Sequence, residues 1–274
     1  MIRSMYSGVS GMRGFQTKLD VIGNNIANVN TVGFKQGRVM FKDIMSQTMS
    51  GTTAPSDEGS GGINAKQVGL GVAISAIDNV HTQGSAMMTY RPLDLRIDGD
   101  GFFALSLGEE AQEAPFLTRA GDFHLDAERN LVNVDGLRVL DSGGAPIQLE
   151  EDIVEFSISQ NGEIMAKRAD GTTEGTGTSI GIVKVVNPEG LEKIGGNLYR
   201  ATPNAIADGE ITVGAANDPE TGSGAIIAGA LEMSNVDLTA EFTEMIVAQR
   251  GFQANSRIIT TSDEVLQEVV NLKR

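Results

Sequence analysis

The chain has 274 residues and a formal net charge of −15. That length allows a sizeable core and more than one domain; that charge makes it a poor general binder of nucleic acid, whose phosphates need clustered lysine and arginine. It has no cysteine, which excludes disulfides and thiolate metal sites, and no apolar run approaches the ~20 residues of a membrane-spanning helix.

The charge is uneven. Residues 1–42 carry +5, residues 231–274 carry −3, and the stretch between them −17. Oppositely charged ends suit mutual pairing, and they suit ordinary solvated faces equally well. Arg3, Arg13, Lys18 and Asp20 interrupt any apolar leader, so the chain is expected to be cytosolic or to leave the cell without signal-peptide cleavage.

Residues 1–30 read as a helix. Met5, Met12, Leu19 and Ile26 recur every seven residues, and Gly8, Phe15, Ile22 and Val29 recur three positions later. Gly8, Gly11, Gly14 and Gly23 weaken the pattern by roughly 1 kcal/mol each against alanine. The helix is therefore expected to be marginal alone and to need a partner. Its end, "LDVIGNNIANVNTVGFK", holds Asn24, Asn25, Asn28 and Asn30. The first three fall on one broad side of a helix beside the apolar stripe. They form either a packed contact with other chains, oriented by amide hydrogen bonds, or a solvated, frayed end. Asn30 and Thr31 suit a helix exit, with Gly33 in the left-handed conformation.

Residues 50–62, "SGTTAPSDEGSGG", read as a loop or flexible linker. "VGLGVAIS" at 68–75 lacks the third glycine of a dinucleotide fingerprint and reads as a glycine-bent strand. From 91 to 200 the chain is strand-like: "LDLRI", "GFFALSL", "FLTRAGDFHL", "NLVNV", "LRVL", "VEFSIS" and "GIVKVV" are short β-prone runs. Asn161-Gly162 and Asp170-Gly171 are hairpin-turn signals. "IDGDGFF" at 97–103 has the wrong acidic spacing for a calcium loop and reads as a tight turn. His81 and His124 have no H-E-x-x-H spacing, and no G-x-S-x-G supplies a nucleophile.

Residues 236–272 form a second predicted helix. Leu238, Met245, Phe252, Ile259 and Leu266 repeat every seven residues, widened by Phe242, Ala248, Val265 and Val269. Asn235 or Asp237 could cap it, Glu241 and Glu244 suit its early turns, and Lys273 and Arg274 its C-terminal end. The expected fold is α+β and multidomain. Residues 1–30 plus 232–274 form a discontinuous helical coiled-coil domain, 91–200 a β-rich middle domain, and 31–90 plus 201–231 linker and connecting segments. No catalytic, cofactor-binding or metal-binding residue and no cofactor is expected. An enzyme with its site in the middle domain is the competing class, supported only by acidic residues and two histidines.

Three long stretches also resemble one family. "SGVSGMRGFQTKLDVIGNNIANVNTVGFK" is similar to the N-terminal signature of the flagellar rod and hook proteins. "LDLRIDGDGFFAL" with "FLTRAGDFHLDAERNLVNVDGLRVL" resembles the core of their middle domain, and "GALEMSNVDLTAEFTEMIVAQRGFQANSRIITTSDEVLQEVVNL" their C-terminal helix. The resemblance implies a non-enzymatic axial protein of the bacterial flagellum. Its terminal helices would pack around a central channel, and export would run through the flagellar type III apparatus. Phe41 and Met45 are similar to a short hydrophobic export signal, a packed amphipathic turn being the other reading. Partners would be further copies of the chain, forming a helical homopolymer, and neighbouring rod, hook-cap and hook–filament junction proteins, with no nucleic acid and no membrane insertion. The expected subunit interface is Met5, Met12, Phe15, Leu19, Ile22 and Ile26 facing Leu238, Phe242, Met245, Phe252, Ile259 and Leu266. Asn24, Asn25 and Asn28 would set orientation, and both ends are expected to order on assembly. "KQVGLGVAISAIDNVHTQG", "IVAQRGFQANS" and "VNLKR" look more like a hook protein, a curved torque-transmitting joint; the alternative is a distal rod protein of the basal body, forming a straight shaft.

Overall fold

The computed structural model describes residues 2–53, 55, 61–108, 115–150, 152–168, 172–206, 211–219 and 221–272, the side chains of Ile2 and Val154 apart. The chain divides into two compact units, one of residues 1–27, 37–79 and 237–274, the other of residues 28–36 and 80–236.

In the first unit, α1 (Ile2–Ala27) packs beside α2 (Leu238–Asn271). Their contacts run in opposite chain directions: Gly8 lies beside Ile259, and Asn25 bonds Glu241. Asp237 caps α2, its Oδ1 accepting from the Thr239 N–H at 2.8 Å. The other candidate cap, Asn235, serves the second unit instead, donating to the Val80 carbonyl and accepting from the Gln36 N–H. Lys273 and Arg274 lie outside the described residues.

Between the helices runs a long antiparallel ribbon. It comprises β1 (Gly37–Asp43), β2 (Ser46–Ser50), β3 (Lys66–Gly69) and β4 (Val72–Asn79), with β1 paired to β4 and β2 to β3. Hydrogen bonds from Ile44 N to Gly71 O and from Leu70 N to Met45 O join the two pairs. Thr53 and Ile63 bridge further out. The segment read from its composition as loop and linker thus carries paired backbone. β2 and β3 are wholly exposed, so the inside–outside alternation that marks a half-buried strand is missing from them, while β1 alternates only at its start and β4 is half-buried at both ends.

The second unit contains β5 (Ala86–Met88), β6 (Leu95–Asp98), β7 (Phe102–Ser106), β8 (Phe116–Thr118), β9 (His124–Leu125), β10 (Leu131–Val132) and β11 (Arg138–Val139). These are followed by β12 (Ile153–Ile158), β13 (Glu163–Arg168), β14 (Thr173–Ser179), β15 (Ile182–Val183), β16 (Glu192–Gly195), β17 (Leu198–Arg200), β18 (Ala225–Ala228) and β19 (Ala230–Glu232). The main sheet has the order β16-β17-β8-β7-β11-β10-β9, with β15 also pairing β7, and β12-β13-β14 form a second sheet. β18 pairs β6 and β19 pairs β5, returning the end of the unit to its beginning. Every run singled out as β-prone carries a strand. Gly162, at φ +78°, forms the predicted turn between β12 and β13, its N–H bonded to Ser159 O; Asp170-Gly171 falls outside the described residues.

The core follows from β7. Its residues alternate between two clusters, so both faces of the strand are buried. Phe103 and Leu105 pack with Leu95, Ile97, Phe123 and Ile180, while Phe102 and Ala104 pack with Leu117, Val183 and Tyr199. Phe103 meets Phe123 edge-on at 5.2 Å. Replacing Phe103 by alanine should cost about 3–5 kcal/mol, read as a lower urea midpoint of the full chain.

Candidate functional site

The first unit presents the surface of interest, and glycines shape it. Gly8, Gly11 and Gly14 are buried on α1. A Cβ on Gly11 would stand 2.7 Å from Asn255 Nδ2, one on Gly14 2.8 Å from Phe41 Cε1, and one on Gly251 2.5 Å from Phe15 Cζ. Two of the four glycines that weaken α1 as an isolated helix, Gly11 and Gly14, are thus where its neighbours come closest, whereas Gly8 is at ordinary contact, 3.5 Å, and Gly23 is exposed. The face turned to α2 runs through Gly8, Gly11, Phe15, Lys18, Ile22 and Asn25. Lys18 pairs with Glu244 at 2.5 Å along it.

Asn25 is the fixed point of this face. It is 1% exposed, and both its donors and its acceptor oxygen are engaged within the chain. Nδ2 donates to Gly37 O at 2.9 Å and to Glu241 Oε1 at 3.3 Å, while Oδ1 accepts from Gly37 N at 3.0 Å. One amide therefore ties α1 to both β1 and α2. Within the chain its amide completes the ribbon's first residue. Asn24 is exposed, and Asn28 is half-buried and accepts from Thr31 Oγ1.

The other expected interface residues divide by position. Ile22 is buried; Met5, Met12, Phe15, Leu19, Ile26, Met245, Ile259 and Leu266 are half-buried. Leu238, Phe242 and Phe252 are exposed, joined on α2 by Ile246, Val265 and Val269. Phe242 is 51% and Ile246 59% exposed. The ribbon adds Met40, Ile44, Met45 and Met49 to the exposed apolar set. Of the two export-signal candidates, Phe41 lies against Phe15 with ring centroids 6.0 Å apart, and Met45 is 68% exposed. A groove of about 470 Å³, lined by Tyr6, Val9, Arg13, Ile44, Leu70 and Ile74 among others, opens between α1 and the ribbon. So much apolar surface on one unit is the signature of a protein–protein contact. Among the described residues no group of three or more candidate ligands could hold a metal ion, and no helix is long and apolar enough to cross a membrane.

A second polar constellation, inside the other unit, has no signal in the sequence. Lys35, Arg119 and Glu232 are buried together. Glu232 Oε1 accepts from Lys35 Nζ at 2.6 Å and from the Gly84 N–H at 3.0 Å, and Oε2 from Arg119 Nη1 at 3.4 Å. Lys35 Nζ also donates to Thr82 O, and the Gly33 N–H bonds Glu232 O. Phe34 is buried with Lys193 Nζ 4.2 Å above its ring. The "GFK" and "LEMSN" stretches beside the helices are thus welded to the β body. Lysine, arginine and glutamate are common enough in this chain that nothing marked these three. Burial lowers the pKa of both Lys35 and Arg119, against the opposing pull of Glu232.

His81 packs edge-on to Phe102 and Tyr199, with centroids at 5.7 and 5.5 Å. Burial first, then the positive charges of Lys35, Arg119 and Lys193, holds its pKa down at about 4. An unfolded chain takes up this proton near pH 6.5 and the folded one only near pH 4. The contribution of His81 is therefore intact above pH 6.5, is lost as pH falls toward 4, and is constant below that. Urea midpoints at pH 7.5 and 4.5 should fall less in His81→Phe than in the parent chain. Asn25→Ala should cost about 1–3 kcal/mol by orphaning the Gly37 groups. Asn30→Ala, at an exposed position, should stay within about 0.5 kcal/mol in the same denaturation assay.

Comparison with known proteins addresses the same three stretches. Residues 5–35 match the family described as flagella basal body rod protein, 96–166 the flagellar hook protein FlgE/F/G D1 domain, and 227–272 the flagellar basal body rod FlgEFG protein C-terminal family. The chain is 54% identical over 275 residues to flagellar basal-body rod protein FlgG of Bacillus subtilis, covering all of both chains. It is 38% identical over 277 residues to the Agrobacterium fabrum protein of the same name, covering 99% of this chain and 100% of that one. With flagellar hook protein FlgE of Borreliella burgdorferi the identity is 29% over 452 residues, covering 100% of each. With matches at both ends and the centre, and similarity along its full length, the chain belongs to the flagellar rod and hook protein family, structural and non-enzymatic components of the bacterial flagellum.

Proposed function

We propose that this chain is a distal rod subunit of the flagellar basal body, polymerising with further copies into a straight drive shaft. The single observation that carries the reading is the end-to-end match, at equal length, to basal-body rod proteins at higher identity than the full-length hook relative. The hook preference drawn from short C-terminal and central stretches gives way to it.

The paired ribbon supports the reading. The residues after the first helix lie in a hydrogen-bonded ribbon beside α1. A bending joint needs outer contacts that slide; a shaft needs braced ones. In this proposal residues 1–30 and 232–274 act as one terminal coiled-coil domain, and the exposed apolar residues of α2 meet α1, α2 or the ribbon of neighbouring copies. Phe41 and Met45 are offered to the type III export apparatus before folding, and adjoining axial proteins cap the polymer at either end.

Gold labelling of this protein on purified flagellar bases should mark the straight shaft that crosses the envelope. Label on the curved external segment would contradict the assignment and restore the hook reading.

A further inference from the structure

The end of α2 outreaches its partner within the chain. Gly8 lies beside Ile259 and Asn25 bonds Glu241, so the start of α1 falls level with about residue 265 of α2. The last turns of α2 pass beyond it. They carry exposed apolar residues at helical spacing, Val265 and Val269 with Leu272 at the cap, and Glu264 and Glu268 form the adjacent column. Neither glutamate has an ion-pair partner among the described residues.

The groove between α1 and the ribbon offers a matching seat. It follows the face of α1 through Tyr6, Ser10, Arg13 and Thr17, turned away from the Gly8, Gly11 and Phe15 face that meets α2. Ser10 Oγ accepts from the Val72 N–H at 3.3 Å and donates to Ser7 O at 2.8 Å, so helix and ribbon are tied before anything docks. Tyr6, Ile44 and Leu70 leave apolar surface exposed along it. From Tyr6 to Thr17 the groove runs roughly 17 Å along α1, and residues 263–272 span roughly 14 Å as a helix. Arg13 is the charged residue of the lining and has no ion-pair partner among the described residues. Helical spacing puts Arg3 and Asp20 on the same face beyond either end, and Lys42 and Asp43 stand across from Ala73 and Val72, so these four cancel and Arg13 leaves the groove positive by one. Residues 263–274 carry Asp263, Glu264 and Glu268 against Lys273 and Arg274, and are negative by one.

We propose that residues 263–272 of one copy dock in the α1–ribbon groove of a second copy, with Val265, Val269 and Leu272 on its apolar wall and the glutamates toward Arg13. This rests on the proposal that copies polymerise, and it holds for a straight or a curved tube. The docking helix and the groove are different surfaces, so each copy both gives and receives, and the contact propagates head to tail instead of closing a two-fold dimer.

Charge reversal in the full-length chain tests it, read as the number of flagellar bases that carry this protein. Juxtaposed like charges in Arg13→Glu should lower that number at least about tenfold, and adding Glu264→Lys or Glu268→Lys should restore it to within about threefold of the parent in at least one combination. All three positions are exposed, and the urea midpoint of purified Arg13→Glu should match the parent's. Parental assembly of Arg13→Glu, or failure of both combinations to restore it, overturns the proposal; the second result assigns the groove to a different partner. Gold label on the restored bases reads the rod assignment separately: label on the curved external segment refutes the shaft and leaves the contact standing.

Discussion

One copy of α1 cannot cover α2. The second helix has 34 residues and the first 26, so α2 is longer by roughly 12 Å at 1.5 Å per residue. The face α1 turns to it is narrow and glycine-lined, allowing close approach but covering little. Phe242, Ile246, Val265 and Val269 remain in water, where each buried equivalent would contribute on the order of 1.5–3 kcal/mol. The β body is in the opposite condition, with both faces of β7 filled by its own residues. One chain therefore combines a completed core with an uncompleted surface, which is what a subunit of a polymer requires.

Polar groups decide how the incomplete unit is held. An apolar stripe alone tolerates many registers, but Asn25 does not: its two donors and its acceptor fit Gly37 and Glu241 together. The buried Lys35–Glu232–Arg119 cluster acts similarly on the stretches flanking the helices. Buried ion pairs recover little of their desolvation cost, so their role is geometric: removing one member leaves a buried charge unanswered.

The legible parts of the fold were those with a period or a turn signal. The seven β-prone runs, the Asn161-Gly162 turn and both terminal helices could be read from spacing, because burial imposes alternation and heptads on those residues. Of the ribbon of residues 37–79 only the glycine-bent strand at 68–75 was legible, seen as β3 and β4 on either side of Gly71; the exposed β2 and β3 carry no alternation, and the outer end is rich in glycine, serine and threonine. The asparagines were visible as a cluster, yet their roles diverge. Asn25 is sequestered and Asn24 is not, because one position of rotation on a helix separates a neighbour from solvent. Lys35 and Glu232 lie 197 residues apart, a pairing that composition and spacing do not carry. Short stretches pointed to the hook, while over the whole length the identity to rod proteins is higher than to the full-length hook relative.

The central claim is that the terminal helices are completed only by neighbouring copies. Hydrogen–deuterium exchange of the monomer and of assembled shafts tests it most directly. The account predicts that amides of residues 242–268 exchange readily in the monomer and become strongly protected on assembly, while those of β7 are protected in both. Equal, strong protection of residues 242–268 in the monomer would contradict it.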